Sequence, residues 1–371
     1  MVEWKKLYEV SKLERGVRVV KKDLHEEGLI PVYQNSLIPL GYFERSNFRE
    51  NTPFVICAGA AGDIGYCTKP FWAADDCTCI VCSSDVNSKF VYYFLLIKQH
   101  YLKSQVRKAS VPRLSKDIIG KLQIPIPSLF EQARIVGILD TFTASIDNLK
   151  EQIAERRKQY EHYRDQLLDL EGKEVIEMLS FGNDFQLKAR IGWQGLTKKE
   201  YRTSGEYKLV TGTDFTKNLR IDFDSCVYVD KDRYEQDDYI KLKVGDVLIT
   251  KDGTLGKVAY IDALEMPATL NGGVFVVRDL EKRVIPKFLM YYLTSNHFKN
   301  WMKQNHTTGS IQHLTQKLLS SFTIPVLTKL EQSRIVSILD TFEASIQNLE
   351  VQLKEREKQY EYYRNKLLTF E

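Results

Sequence analysis

The sequence predicts an α+β protein: two mixed α/β heads joined by two long antiparallel helices that form a coiled coil, arranged as a pseudo-two-fold repeat. Three observations carry this expectation. Residues Glu131–Leu168 and Glu331–Leu368 align at an offset of 200 without a gap, with 26 identities in 38 positions. Both copies place apolar residues at alternating steps of four and three, the spacing of a coiled-coil seam. The regions outside them mix short β-rich runs, turns and amphipathic helical stretches, and match one another far less well.

The expected division is head one at 1–123, a first helical spacer at 124–170, head two at 171–323 and a second helical spacer at 324–371. In the heads, FVICAG, CTCIVC, DVLIT, KVAYI and GVFVVR read as strands, while FVYYFLLIKQHYLKSQ and KFLMYYLTSNHFKNWMK read as helices with one apolar face. Each spacer begins with a strand-like run, KLQIPIPS at 121–128 and SFTIPVLT at 321–328, stopped by proline. Ser128 and Thr328 are suited to cap the helices that follow. Glu131 and Glu331 stand three residues on, so both starts are expected to form capping boxes.

The first seam is Ile135, Leu139, Phe142, Ile146, Leu149 and Ile153, continued by Arg156, Tyr160, Tyr163 and Leu167. The second is Ile335, Leu339, Phe342, Ile346, Leu349 and Leu353, continued by Arg356, Tyr360, Tyr363 and Leu367. At ~1.5 Å per residue each helix extends about 60 Å. A long amphipathic helix packing only on its own domain is the alternative. Duplication favours the other copy as partner, and two-fold symmetry would then set the heads at opposite ends of an antiparallel pair.

Composition narrows the class without deciding it. Among 371 residues, 53 Lys and Arg against 49 Asp and Glu leave a net charge of +4, which neither demands nor excludes a nucleic-acid partner. Basic residues gather locally between Lys103 and Arg113. No apolar run approaches the ~20 residues of a membrane span. The opening MVEWKKLYEV lacks the apolar stretch of a signal peptide, so a cytoplasmic location is expected. Cysteines fall at 57, 67, 77, 79, 82 and 226. CTCIVC invites a zinc reading, but it lacks paired C-x2-C units and a nearby histidine, and it also reads as a buried strand of reduced thiols.

The heads share landmarks. Gly62-Asp-Ile-Gly65 follows the strand FVIC as Gly253-Thr-Leu-Gly256 follows DVLIT. Tyr92-Tyr93 stands against Tyr291-Tyr292, and Ala109-Ser110 with Leu114-Ser115 against Gly309-Ser310 with Leu314-Thr315. One core with divergent loops is expected, which is how related domains change specificity. The polar loops carry the residue types that hydrogen-bond base edges and phosphates. In head one these are Tyr33, Gln34, Asn35, Arg45, Asn47, Arg49, Arg107, Lys108, Ser110 and Arg113. In head two they are Thr211, Thr213, Lys251, Asp252, Thr254, Lys257, His306, Thr307, Thr308, Ser310 and Gln312. Any one of them also suits an ordinary solvated loop.

The chain shows no catalytic constellation. Gly253 to Lys257 is too short for a phosphate-binding loop, and Gly59, Gly62 and Gly65 lie at the wrong intervals for a dinucleotide fingerprint. There is no Asn-Pro-Pro-aromatic or Asp-Pro-Pro-aromatic tetrapeptide of the kind DNA amino-methyltransferases carry, and the six histidines lack metal spacing.

Two variable heads, each followed by a long helix opening on Ile-Pro and then Glu131-Gln132-Ala-Arg134-Ile135 or Glu331-Gln332-Ser-Arg334-Ile335, resemble the specificity (S) subunit of type I restriction-modification systems. The Ile-Leu-Asp blocks at 138–140 and 338–340 belong to the same resemblance. So do VGDVLITKDGTLGKV, Asn271-Gly-Gly and Gly309-Ser-Ile-Gln312 of head two. Head one departs from the pattern, with AGAAGDIGYC at the glycine turn and Ala109-Ser-Val-Pro112 in place of Gly-Ser-x-Gln.

The resemblance implies two target-recognition domains, each reading half of a split double-stranded DNA target, with the helices setting the gap. It implies two methyltransferase (M) subunits docked on the helices, methylating adenine with S-adenosylmethionine. Restriction (R) subunits using ATP and Mg are a further possible partner. The chain itself would be non-catalytic, without a cofactor and without a membrane partner. Two competing expectations are a coiled-coil adaptor whose heads bind proteins, and an enzyme with a site near the Gly59–Gly65 loop.

Overall fold

The computed structural model describes residues 2–108, 110–252, 255–305 and 314–370. The chain forms two compact units, Met1–Glu151 with Glu350–Glu371, and Gln152–Leu349. Each unit therefore contains one head, one half of the helix that follows it and one half of the other long helix.

Unit 1 runs β1 (Glu3–Lys6), α1 (Leu7–Val10), β2 (Ser11–Arg15), β3 (Ile30–Tyr33), β4 (Gly41–Phe43), β5 (Thr52–Ile56), β6 (Ile64–Cys67), β7 (Trp72–Ala73), β8 (Cys77–Cys82), α2 (Ser88–Ser104), α3 (Lys116–Gly120) and β9 (Gln123–Ile126), then enters α4 (Leu129–Leu168). Unit 2 runs β10 (Glu177–Ser180), β11 (Gln186–Lys188), β12 (Tyr207–Val210), β13 (Val227–Val229), α5 (Lys231–Glu235), β14 (Val247–Thr250), β15 (Val258–Tyr260), β16 (Ala268–Leu270), β17 (Val274–Arg278), α6 (Pro286–Tyr292), α7 (Asn296–Asn305), α8 (Gln316–Ser320), β18 (Thr323–Val326) and the start of α9 (Lys329–Leu368).

The sheets repeat strand for strand. Order β2-β8-β5-β6 in unit 1 matches β11-β17-β14-β15 in unit 2, and β4-β3-β7 matches β13-β12-β16. In both three-stranded sheets one pairing is antiparallel and the other parallel. The strand before each long helix pairs antiparallel with the first strand of its head, Glu3 opposite Ile126 and Glu177 opposite Val326. The expected shared core is thus present.

The unbroken apolar runs follow from cores on both faces of each four-stranded sheet. Along β5, Val55 faces the core that includes Phe90 and Ile135, whereas Phe54 and Ile56 face a second core with Phe71 and Cys77. Along β14, Val247 and Ile249 face one core and Leu248 the other. A strand buried on both faces loses the apolar-polar alternation of a half-exposed one. CTCIVC obeys the same rule: Cys77 and Cys79 point to one core and Ile80 to the other.

Each unit holds an antiparallel helix pair. In unit 1, Phe142 of α4 stacks on Tyr363 of α9, with ring centroids 5.3 Å apart, and Lys150 approaches Glu357 at 3.5 Å. Ile135 and Leu139 share a core with Tyr360, Leu367 and Leu368. In unit 2, Tyr163 stacks on Phe342 at 5.4 Å, and Ile335 and Leu339 share a core with Tyr160, Leu167 and Leu168. Arg356 lies over Phe142 and Arg156 over Phe342, with guanidinium carbons 5.7 and 6.0 Å from the ring centroids. The arginines that interrupt both seams therefore serve as cation-π lids. Ile146 and Ile346 are buried, while Leu149, Ile153, Leu349 and Leu353 are half-buried.

Ser128 and Thr328 do cap the helices, accepting from the Glu131 and Glu331 N–H groups at 3.3 and 3.2 Å. The capping boxes are not closed as expected. The Glu131 carboxylate is taken by Arg134 at 2.8 and 2.7 Å, and Glu331 by Arg334 likewise, because an arginine one turn on offers a two-pronged ionic partner.

The glutamine beside each glutamate ties the helix to its head. Gln132 and Gln332 are fully buried. Gln132 Oε1 accepts from the Asn87 N–H at 2.8 Å, and its Nε2 donates to the Pro127 and Asp85 carbonyls. Gln332 repeats this with the Ile285 N–H at 2.7 Å and the Leu327 and Arg283 carbonyls. Two turns further, Asp140 receives Lys89 at 2.8 Å and the Tyr93 hydroxyl at 2.5 Å, and Asp340 receives Lys287 and Tyr291, both at 2.7 Å. This corrects the tyrosine alignment: Tyr93 corresponds to Tyr291, so Tyr92 falls opposite Met290.

The units differ beside these clasps. Unit 2 carries Glu343 where unit 1 has Thr143. Glu343 lines a cavity of about 170 Å³ with Tyr160, Arg164 and Lys217. Burial, and to a lesser degree Asp340, push its carboxyl above the usual carboxylate range, against the opposing effect of Arg220 at 3.9 Å. Among the described residues no helix is long and apolar enough to cross a membrane.

Two outcomes are expected. Gln332→Ala should cost about 1–3 kcal/mol in a urea unfolding titration, because it strands the half-buried Ile285 N–H and the Leu327 carbonyl that the amide satisfies. Glu343 binds its proton more tightly folded than unfolded, so its contribution is full at acid pH and is lost as pH rises above the ordinary glutamate value of about 4.3. Glu343→Gln should therefore flatten the fall in urea midpoint with rising pH and gain relative to the parent toward neutrality. A parallel pair of pH curves would contradict this.

Candidate nucleic-acid interface

The loops at one edge of each head hang on the same main-chain frame. In head one, the Cys57 N–H donates to the Asp76 carbonyl, Ala74 to Tyr33, Leu114 to Cys57, Gly62 to Ile56 and Ile56 to Asp63. In head two, Lys251 donates to Gly273, Asn271 to Val210, Leu314 to Lys251, Gly256 to Thr250 and Thr250 to Lys257. These bonds make Tyr33 equivalent to Val210, Ile56 to Thr250, Ala74 to Asn271 and Asp76 to Gly273.

The frame corrects the glycine alignment. Gly62 has φ +92 and Gly256 φ +73, both in the left-handed region that lets the turn close without strain. Gly62 is thus the counterpart of Gly256, not Gly65. Gly65 lies instead within β6 under the Phe54 ring, where an added Cβ would meet Phe54 Cζ at 2.3 Å.

Three segments of head one converge here. The Ala60 N–H donates to the Asn35 carbonyl at 2.9 Å, Gly59 to Pro112 at 3.3 Å, and Arg107 and Arg113 exchange main-chain bonds at 2.9 and 3.3 Å. The frame brings together Gln34, Asn35, Arg107, Lys108, Ser110 and Arg113. All but Gln34 are exposed, and Gln34 Nε2 donates to Asp76 Oδ2 at 3.4 Å. Lys103 from the same basic stretch is held by Asp63 at 2.7 Å.

The other head-one candidates are placed differently. Tyr33 packs against Phe54 and Phe71, and burial pushes its hydroxyl up to about 12. Asn47 staples β7, its Nδ2 donating to the Ala73 carbonyl and its Oδ1 accepting from the Ala73 N–H, both at 2.8 Å. Both amide atoms are thereby committed within the head. Arg45 is exposed over the Phe43 and Trp72 rings, and Arg49 lines a cavity of about 440 Å³ with Asn51, Ser83 and Ser88.

In head two, Thr211 and Thr213 sit in a turn closed on Asp214. Thr211 donates from both N and Oγ1 to Asp214 Oδ2, at 2.7 and 2.9 Å. Thr213 is exposed, Lys251 Nζ stands 5.3 Å from the Phe275 ring centroid, and Lys257 is exposed at the position of Asp63. Asp252 is half-buried. Thr254, His306, Thr307, Thr308, Ser310 and Gln312 lie outside the described residues.

The cysteine-rich stretch is strand β8 and its neighbours. Burial pushes the Cys82 thiol up to about 12 and raises Cys57, Cys77 and Cys79 as well. These are core side chains with suppressed thiolate character. Residue patterns had left two features unread: Asp76, hidden because its counterpart is a glycine, and the buried glutamines, visible as a repeated motif whose physical role only the hydrogen bonds reveal.

Comparison with known proteins agrees with this geometry. The chain is 29% identical over 395 residues to the specificity subunit of the EcoR124I/EcoR124II type I restriction enzyme of Escherichia coli, covering all of this chain and 94% of that protein. It is equally similar, at 29%, to a putative type I restriction enzyme specificity subunit of Haemophilus influenzae, covering 96% of it. Its fold matches the crystal structure of a type I restriction-modification S subunit from M. genitalium, with a TM-score of 0.67 at 18% identity, covering all of this chain and 97% of that one. The sequence profile described as type I restriction modification DNA specificity domain matches residues 1–156 and 194–357. A profile repeated once per head, over a sheet topology also repeated once per head, leaves one conclusion: the chain belongs to the type I restriction-modification DNA specificity family.

Proposed function

We propose that this chain reads a bipartite duplex DNA target, one half per head, and positions methyltransferase subunits on its long helices. The observation that carries the reading is the repeated main-chain frame, which presents converging polar segments at the same place in both heads with different side chains. A common frame gives common docking, and different side chains give different half-sites. Exposed Arg107, Lys108 and Arg113 in head one and Lys257 in head two supply the positive charge that phosphate contact needs. The asymmetric target follows from unlike readers on a duplicated scaffold.

In this reading the chain performs no chemistry. Two M subunits would carry S-adenosylmethionine and methylate adenine, R subunits with ATP and Mg would join where cleavage occurs, and the assembly would work in the cytoplasm. The resemblance of the spacers to one another supports two equivalent docking places. An adaptor with protein-binding heads would have no need for matched polar segments on one frame.

The test combines this chain with its cognate methyltransferase subunit and maps methylated adenines across genomic DNA. A single split motif is expected. Replacing residues 1–123 with the first head of a relative should change only one half of that motif; a change in both halves, or no motif at all, would overturn the reading. Arg113→Ala and Lys251→Ala should each weaken binding roughly uniformly across sequences and lower the slope of log K against log salt by about 1. Unchanged slopes would remove these side chains from phosphate contact.

A further inference from the structure

The main-chain frame places three positions around one point in each head: 58, 74 and 76 in head one, and 252, 271 and 273 in head two. In head two the last of these is Gly273. A Cβ built there would stand 3.6 Å from Asp252 Oδ2 and 3.6 Å from Asn271 Oδ1. Two side chains thus close around a bare glycine. In head one the glycine's place is taken by Asp76, and both flanking positions are cut back to Ala58 and Ala74. The two heads keep a carboxylate beside the same frame position and deliver it from different segments, the turn before β8 in head one and the residues after β14 in head two. The exchange is linked, since an Asp at 273 would set a second carboxylate against Asp252, whose Oδ2 a Cβ there already meets at van der Waals distance, while Ala58 brings no competing carboxylate to Asp76.

We propose that this shared carboxylate, Asp76 in head one and Asp252 in head two, is a specificity-determining group that accepts a hydrogen bond from the exocyclic amino group of one base in each half-site. The proposal rests on the DNA-reading function above. Its chemistry follows from charge. An ionised carboxylate only accepts hydrogen bonds. Where such a group meets a base edge, only a donor can face it. The major-groove donors are cytosine N4 and adenine N6. In head one Gln34 Nε2 holds Asp76 Oδ2 at 3.4 Å and orients the group, leaving Oδ1 for the base. In head two the equivalent of Gln34 is Thr211, which is bonded to Asp214 instead, so Asp252 is oriented without it. Every base pair carries one such amino group, so in each half-site the carboxylate would fix which strand bears it at one corresponding position.

The experiment uses the complete complex of this chain with its methyltransferase subunit and duplexes bearing the parent motif. At each base of each half-site, cytosine is replaced by 2-pyrimidinone or adenine by purine, which removes the amino group alone. The parent should lose roughly ten- to hundred-fold in affinity at one such position per half-site. Asp76→Ala should abolish that sensitivity in one half only, and Asp252→Ala in the other. The untouched half is an internal control for folding. Rebuilding the head-two arrangement in head one, with Ala58→Asp and Asp76→Gly together, should restore sensitivity lost in Asp76→Gly alone. Retained sensitivity in Asp76→Ala, an equal loss at every base pair, or failure of the rebuilt pair overturns the carboxylate's role. A parent that selects no sequence overturns the DNA-reading function as well, which separates the two failures.

Discussion

The rest of the molecule depends on a buried amide. Gln132 and Gln332 each bring one acceptor and two donor hydrogens into a site without access to water and satisfy main-chain groups of the head there. A buried amide with its partners met is specific in position, because any shift leaves a polar group unpaired at a cost of about 1–3 kcal/mol. Two turns along, Asp140 and Asp340 add a lysine and a tyrosine. A helix face has no freedom to slide or roll between two such anchors about 12 Å apart along its axis. The head is thereby fixed to the one element whose length and direction define the scaffold.

That constraint also explains the family signature. Glu-Gln-x-Arg-Ile-Val reads as a string of identities, yet its parts have separate tasks. The glutamate and arginine lock each other on the surface, the glutamine enters the head, and the isoleucine faces the core. The seam continues by stacking rather than by aliphatic packing alone. Phe142 with Tyr363 and Phe342 with Tyr163 form rings roofed by Arg356 and Arg156, which is why arginine and tyrosine occupy places where a simple coiled coil carries leucine.

Much of the architecture was legible in the sequence because repetition and period are local properties. The 200-residue offset and the four-three spacing needed no three-dimensional information, whereas the Ile-Pro prolines Pro125 and Pro325 do not stop their strands: they lie inside β9 and β18, opposite Trp4 and Met178 at a sheet edge where proline is tolerated. The alignment of the heads did. Equivalent residues stand 177 apart at Tyr33 and Val210, 194 at Ile56 and Thr250, 197 at Ala74 and Asn271, 198 at Tyr93 and Tyr291, and 200 at Leu114 and Leu314. A constant offset slips past these insertions, which is how Gly62–Gly65 came to be set against Gly253–Gly256 and Tyr92 against Tyr291. Residue type also misdirects. Asn47 and Tyr33 look like reading groups, but the first completes a strand pairing and the second an aromatic core.

The sheets of the heads have a consequence for how such proteins diversify. Each central strand is gripped from above and below, so its own side chains have almost no latitude. The frame at the sheet edge, by contrast, is built from peptide groups bonded to peptide groups. Such bonds are indifferent to the residue that carries them. The heads can therefore exchange lysine for cysteine, or glycine for aspartate, at that edge while the architecture beneath stays put, so mutation can rewrite recognition without first having to repair folding.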